Sequence, residues 1–193
     1  MELTTYLKTA VLAAKKAADI HLKYFRKHMD ISYKSTHFNR VTKADLEAEE
    51  AIISVIKEKY PDHNILAEEK KYSRTNSPYT WIIDPLDGTN NFVHGIPVFS
   101  VSIAMAIDDS LLIGVVYDPT RDELFCAKKE GKATLNGKPI IVTKAENLDR
   151  SILATGFYYS RGKEVEKTLE TINNFFKNGI IGIRRMGSAA LDL

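Results

Sequence analysis

The chain has 193 residues, 44% hydrophobic and 27% charged, with a formal net charge of +2. These proportions exclude a disordered or fibrous chain and leave room for one good-sized core or two modest units. Basic residues come singly or in pairs such as Lys15 with Lys16 and Arg184 with Arg185, which argues against nucleic acid as a main partner. The one cysteine, Cys126, excludes an internal disulfide; inside the apolar run LFCA it reads as a small buried hydrophobe in a reducing compartment.

Leu3, Leu7, Ala10, Val11, Ala14, Ala17, Ala18 and Leu22 recur at helical spacing with lysines opposite, so the first 25 residues are expected as an amphipathic helix. A polar linker is expected from about residue 30 to 40. Thr42 to Asp45 fits a capping box opening a second helix, with Leu46, Ile52, Ile53, Ile56 and Tyr60 on it and Pro61 as its stop. Strands follow at 65–67, 81–84, 99–107, 111–117 and 123–128, then a hairpin through Asn136 and Gly137. Asp108, Asp109, Asp118 and Pro119 make short turns, which require antiparallel neighbours.

Gly88 to Ile107 carries no charge over 20 residues, long enough for a bilayer. Asn90, Asn91, Gly95 and Pro97 interrupt it, so it reads as loop, helix turn and core strand in a cytoplasmic protein with no membrane partner. Beyond residue 150 the order becomes strand (151–157), helix (163–177), strand (180–186) and helix start (187 onward), the alternation of a parallel unit. The fold class is therefore α/β in a layered α+β arrangement: a helix pair on a mostly antiparallel sheet (1–149), then the beginning of a smaller mixed or parallel unit (150–193).

Acids gather at Asp45 with Glu47, Glu49 and Glu50, at Glu68 with Glu69, and at Asp84 with Asp87. The first group reads mainly as a solvated helix face, with Asp45 as the reciprocal acid of the capping box. Glu68 and Glu69 alone read as an exposed turn. In WIIDPLDGTNNF, Pro85 removes a donor and is expected to take the chain out of the sheet, leaving Asp84 and Asp87 on one side of a tight turn. Gly88 permits close backbone approach, and Thr89, Asn90 and Asn91 can open a helix whose N–H groups face an anion. Carboxylates beside an anion site make sense only with cations between them, and hard oxygen donors point to magnesium or manganese over zinc. The five scattered histidines receive no role.

IIDPLDGTNNF resembles the signature of the inositol monophosphatase family, magnesium-dependent and lithium-sensitive sugar phosphatases. VTKADLEAE, LAEE, FVHGIPVFSVSIA, LNGKPI and MGSAA accompany it in order over essentially the whole chain. The resemblance implies that Glu68, Asp84, the Leu86 carbonyl and Asp87 bind Mg2+, with Mn2+ as a substitute and Li+ as an inhibitor. It implies that Thr89, paired with Asp45 and assisted by Glu68, activates the attacking water. The N–H groups of Gly88 and Thr89 would hold phosphate, while Asp87 and the Gly187, Ser188, Ala189 turn would meet sugar hydroxyls. Lys34 falls at the position of a lysine on the family's mobile flap. Similar proteins are commonly homodimers, to which the apolar strands after Pro97 could contribute.

The expected reaction is hydrolysis of inositol 1-phosphate, or another small polyol phosphate, by metal-activated water in line with the leaving group. A fructose-1,6-bisphosphatase or dual enzyme stands close behind; a nucleotide 3'-phosphatase fits less well, because that branch places Lys after the signature Thr, where this chain has Asn90. The resemblance reaches the last residue before the family's later Trp-Asp and Ala-Ala-Gly segment, which carries another metal-ligand Asp. The 193-residue polypeptide alone is thus expected to hydrolyse poorly, and a non-catalytic module binding a phosphorylated ligand or a protein is the reading of another class.

Overall fold

The computed structural model describes residues 2–27, 31–33, 40–108, 110–157 and 162–193; Lys34 lies outside them. Along the chain come α1 (Glu2–Tyr24), the short strands β1 (Ile31–Tyr33) and β2 (Arg40–Thr42), α2 (Lys43–Lys59), β3 (Asn64–Ala67), β4 (Tyr79–Asp87) and α3 (Thr89–Val93). Then follow β5 (Ser100–Ile107), β6 (Ser110–Asp118), β7 (Glu123–Lys128), β8 (Thr134–Leu135), β9 (Lys138–Pro139), β10 (Ile152–Ala154), α4 (Lys163–Lys177), β11 (Gly182–Arg184) and α5 (Ala189–Asp192). Strands β3 to β9 form one seven-stranded sheet in chain order, parallel at β3–β4 and antiparallel elsewhere.

Alanines set the layering. Ala10, Ala13, Ala14 and Ala17 of α1 are fully buried against Ala48, Ile52 and Ile56 of α2 and against Trp81, Val101, Ile103, Met105 and Val115 of the sheet. Side chains this small let the helices approach closely, and the large sheet residues fill the remaining space. The expected stripe is right except at its end: Leu22 is exposed and His21 turns inward instead.

Two other expectations change. The linker near residues 30 to 40 contains an antiparallel pair, with Ile31 opposite Thr42 and Tyr33 opposite Arg40. Cys126 is only partly buried, on β7 at the margin of the core. Val98, Phe99, Val101, Ile103 and Met105, apolar residues just after Pro97, are all spent on the chain's own core. Residues 140–147 have no regular structure, and β10 pairs in parallel with β11 beyond them. Among the described residues no helix is long and apolar enough to cross a membrane.

His21 has a measurable consequence. It is fully enclosed, its ring lies 5.9 Å from that of Phe92 and 6.0 Å from that of Phe99, and neither ring nitrogen has a hydrogen-bond partner. Burial alone lowers its pKa to about 3. Below the ordinary value near 6.5 the unfolded chain binds a proton that the folded one refuses, so stability is whole above that pH and falls by about 1.4 kcal/mol per unit beneath it. Urea unfolding at pH 7 and pH 5 should therefore show His21→Leu losing about 2 kcal/mol less than the parent over that interval.

Candidate active site

β4 runs through both acids without leaving the sheet, contrary to the expectation at Pro85. Asp84 pairs with Ser102 and Asp87 with Ser100 of β5, so Pro85 and Leu86 together face Val101 alone. The proline has no N–H for the ladder, and the extra residue makes a β-bulge. Residues three apart in a regular strand point to opposite faces. The bulge resets that phase, and Asp84 and Asp87 come close enough for the charge of one to act on the other.

Glu68 arrives from the neighbouring strand. Ala67 of β3 lies beside Ile83 of β4 in parallel register, so the residues that follow each of them, Glu68 and Asp84, emerge side by side. The Asp84 carboxyl is pushed up to about 8, first by burial, then by the charges of Glu68 and Asp87 and a hydrogen bond with Glu68. The N–H of Leu86, donated to Asp84 Oδ1 at 3.2 Å, pulls the other way. Asp87 Oδ2 accepts from Ser188 Oγ at 2.6 Å and from the N–H of Ala190 at 2.7 Å. Among the described residues no three acidic, histidine or cysteine side chains close tightly enough to enclose an ion as they stand. Carboxylates this close repel one another unless one takes a proton or a cation joins them, and an all-oxygen donor set with a destabilised anion at its centre suits a hard divalent ion.

Asp45 works in two directions. Its Oδ2 accepts from the Thr42 N–H at 2.8 Å and the Thr42 hydroxyl at 2.6 Å, completing the capping box of α2. Its Oδ1 faces the Thr89 hydroxyl at 3.0 Å, which also lies 3.0 Å from the Leu86 carbonyl. One hydroxyl proton cannot serve both acceptors at once. Burial raises the pKa of Asp45, while the bonds from Thr42 and Thr89 oppose it.

Thr89 opens α3, and Gly88 before it holds φ +98°. A Cβ there would sit 3.0 Å from the Val98 carbonyl and 3.1 Å from that of Gly187. Both obstacles are backbone, so Gly88→Ala should cost about 2 kcal/mol or more in urea unfolding. The six residues expected at the substrate (Asp87, Gly88, Thr89, Gly187, Ser188, Ala189) converge on one cleft of about 630 Å³. Ser188 is fully buried there, its hydroxyl engaged with Asp87 and 3.1 Å from Ser100 Oγ.

Three residues of this cleft have contacts that no motif announces. Asn91 donates to the carbonyls of Val98 and Met186, both at 2.7 Å, tying α3 to the 186–188 turn. Arg185 lies over the Phe157 ring at 5.4 Å, and both line the cleft. The sequence shows Arg185 only as half of a basic pair; its place directly before Met186 and Gly187 was the available signal.

An acidic cluster, a short helix opening and a hydroxyl–carboxylate pair, carried on a helix pair and a mostly antiparallel sheet, are the parts found in phosphatases of one family, and relatives in sequence and structure place the chain among those hydrolases. The chain belongs to the inositol monophosphatase family, whose sequence model matches residues 2–193. It is similar to the inositol-1-monophosphatase of Synechocystis sp., 42% identical over 193 residues, covering 100% of this chain and 67% of that one. It is equally similar to the Nus factor SuhB of Pasteurella multocida, 42% identical over 190 residues, with 97% and 70% covered. The crystal structure of the extragenic suppressor protein suhB from Bartonella henselae superposes with a TM-score of 0.91 at 34% identity, covering 97% of this chain and 72% of that one. The resemblance and the fold class expected from sequence are both borne out.

Proposed function

We propose that the chain hydrolyses the phosphate monoester of a small polyol, inositol 1-phosphate foremost, with Mg2+ held by Glu68, Asp84, the Leu86 carbonyl and Asp87. The observation that carries this reading is the meeting of Glu68, Asp84 and Asp87 beside the first turn of α3, an arrangement that repels a phosphate unless a cation intervenes. When bound, the metal neutralises phosphoryl charge and lowers the pKa of water.

The chain's own groups do the rest. Thr89 Oγ1 takes a proton from the attacking water as it gives its own to Asp45 Oδ1, 3.0 Å away. Thr42 holds the other oxygen of Asp45, so the carboxylate cannot swing off its partner. Burial raises the affinity of Asp45 for that proton. The N–H groups of Gly88 and Thr89 hold the phosphoryl oxygens. Asp87 keeps Oδ2 on Ser188 and Ala190, which leaves Oδ1 for the cation or a sugar hydroxyl. With the Ser188 hydroxyl spent, the 187–189 turn meets the substrate through its backbone. Water is the nucleophile; trapping a phosphorylated protein during turnover would refute this.

Cytoplasmic location and a homodimer accompany this reading, with Mn2+ as a functional substitute and Li+ as an inhibitor. A relative named for inositol monophosphatase and one named as a Nus factor are equally identical to this chain, so identity does not choose the substrate. Phosphate release from inositol 1-phosphate, fructose 1,6-bisphosphate and a nucleoside 3',5'-bisphosphate, with and without Mg2+, makes that choice. Inositol 1-phosphate is expected to turn over fastest of the three, slowly and only with Mg2+. Release from none of the three in Mg2+ would favour the non-catalytic module.

A further inference from the structure

The acids of α2 are not one solvated face. Glu50 and Glu47 reach polar partners toward solvent, Lys70 Nζ at 2.5 Å and Lys43 Nζ at 3.4 Å respectively. Glu49 between them is fully enclosed, which corrects the expectation for that residue. A carboxyl group at such depth needs hydrogen bonds to offset its desolvation. Its two oxygens both go to one short stretch outside the helix. Oε2 accepts the N–H of Glu69 at 2.8 Å, and Oε1 accepts the Tyr72 hydroxyl at 3.1 Å.

That stretch begins where β3 ends at Ala67 and continues without regular structure through Tyr72, so no sheet ladder fixes its course. The N–H of Glu69 lies in the same rigid peptide plane as the carbonyl of Glu68. With the preceding residue Ala67 already paired to Ile83, pinning that plane fixes both φ and ψ of Glu68 and with them the direction in which its side chain leaves the backbone. The Lys70–Glu50 pair adds a second tie from the same helix on the solvent side. α2 also carries Asp45 at its first turn. One helix thereby sets both the Thr89 partner and the approach of Glu68.

We propose that Glu49 is a positioning residue for the cation cradle, holding the 68–72 segment so that Glu68 stands beside Asp84 ready to share an ion. This rests on the reading of Glu68, Asp84 and Asp87 as ligands. Residues that orient ligands in this way typically change metal affinity by about 10- to 100-fold when replaced. Glu49→Gln keeps one acceptor oxygen but puts an NH2 where the second bond was accepted. Tyr72→Phe removes one donor and leaves the Glu69 tie intact.

The test is Mg2+ titration calorimetry on the full chain, with hydrogen exchange of the Glu69 amide and the EPR spectrum of bound Mn2+. Glu49→Gln should weaken Mg2+ about 10-fold or more, speed exchange at Glu69, alter the Mn2+ spectrum, and leave exchange in β4 and β5 native. Tyr72→Phe should give a smaller loss in the same direction, and it carries the test if Glu49→Gln does not fold. A folded variant with unchanged Mg2+ affinity and Mn2+ spectrum overturns the role of Glu49 alone. A parent chain that binds neither ion overturns the cradle itself, and the role of Glu49 with it.

Discussion

Asp84→Asn is expected to separate stability from binding. In the metal-free protein the side chain is half-buried between two other carboxylates, and its pKa of about 8 reports how unwelcome its charge is there. Replacing it with a neutral side chain of the same shape removes the need to take up a proton on folding, and should stabilise the metal-free protein at neutral pH by about 1 kcal/mol or more. The same change removes the central anion of the cradle. At an effective dielectric near 20, each unit charge 4 Å away contributes about 4 kcal/mol, so Mg2+ affinity should fall by at least about 100-fold. Thermal unfolding with and without Mg2+ reads both effects: a higher midpoint than the parent in EDTA, and no upward shift when Mg2+ is added. A variant less stable than the parent in EDTA would show that Asp84 is structural.

The second large effect falls on Thr89. Thr89→Val conserves shape and β-branching but has no proton to give Asp45 and no lone pair for water. General acid–base groups contribute about 10² to 10⁴ in rate, and a loss within that range is expected in kcat for phosphate release. Affinity for Mg2+ should stay within about threefold, since the Thr89 hydroxyl is not among the proposed ligands. Thr89→Ser, which restores the hydroxyl, should recover most of the rate. Equal losses in the Val and Ser variants would place the role of Thr89 in packing α3, against the proton path to Asp45.

Much of this site is legible in the sequence because its chemistry is local. Thr42 and Asp45 announce a capping box by spacing alone, and the structure forms it with both reciprocal bonds. The second duty of Asp45 is invisible there, since Thr89 lies 44 positions away. Pro85 signals a break, but whether a proline ends a strand or bulges it depends on what the neighbouring strand supplies. β5 supplies Val101 opposite the extra residue, and the strand continues. Glu49 shares its composition with the solvated acids beside it; only the return of Glu69 and Tyr72 distinguishes it. His21 is missed for the same reason, because the pocket of Phe92 and Phe99 that accepts it is built from residues 70 or more positions later.

Equilibrium dialysis of radiolabelled inorganic phosphate against the chain, at rising Mg2+ and in EDTA, addresses the cradle most directly. Saturable phosphate binding that requires Mg2+, vanishes in EDTA and is lost in Asp84→Asn is the expected result. Phosphate binding indifferent to EDTA, or no binding at millimolar Mg2+, would contradict the assignment of Glu68, Asp84 and Asp87 to a cation that in turn receives the phosphate.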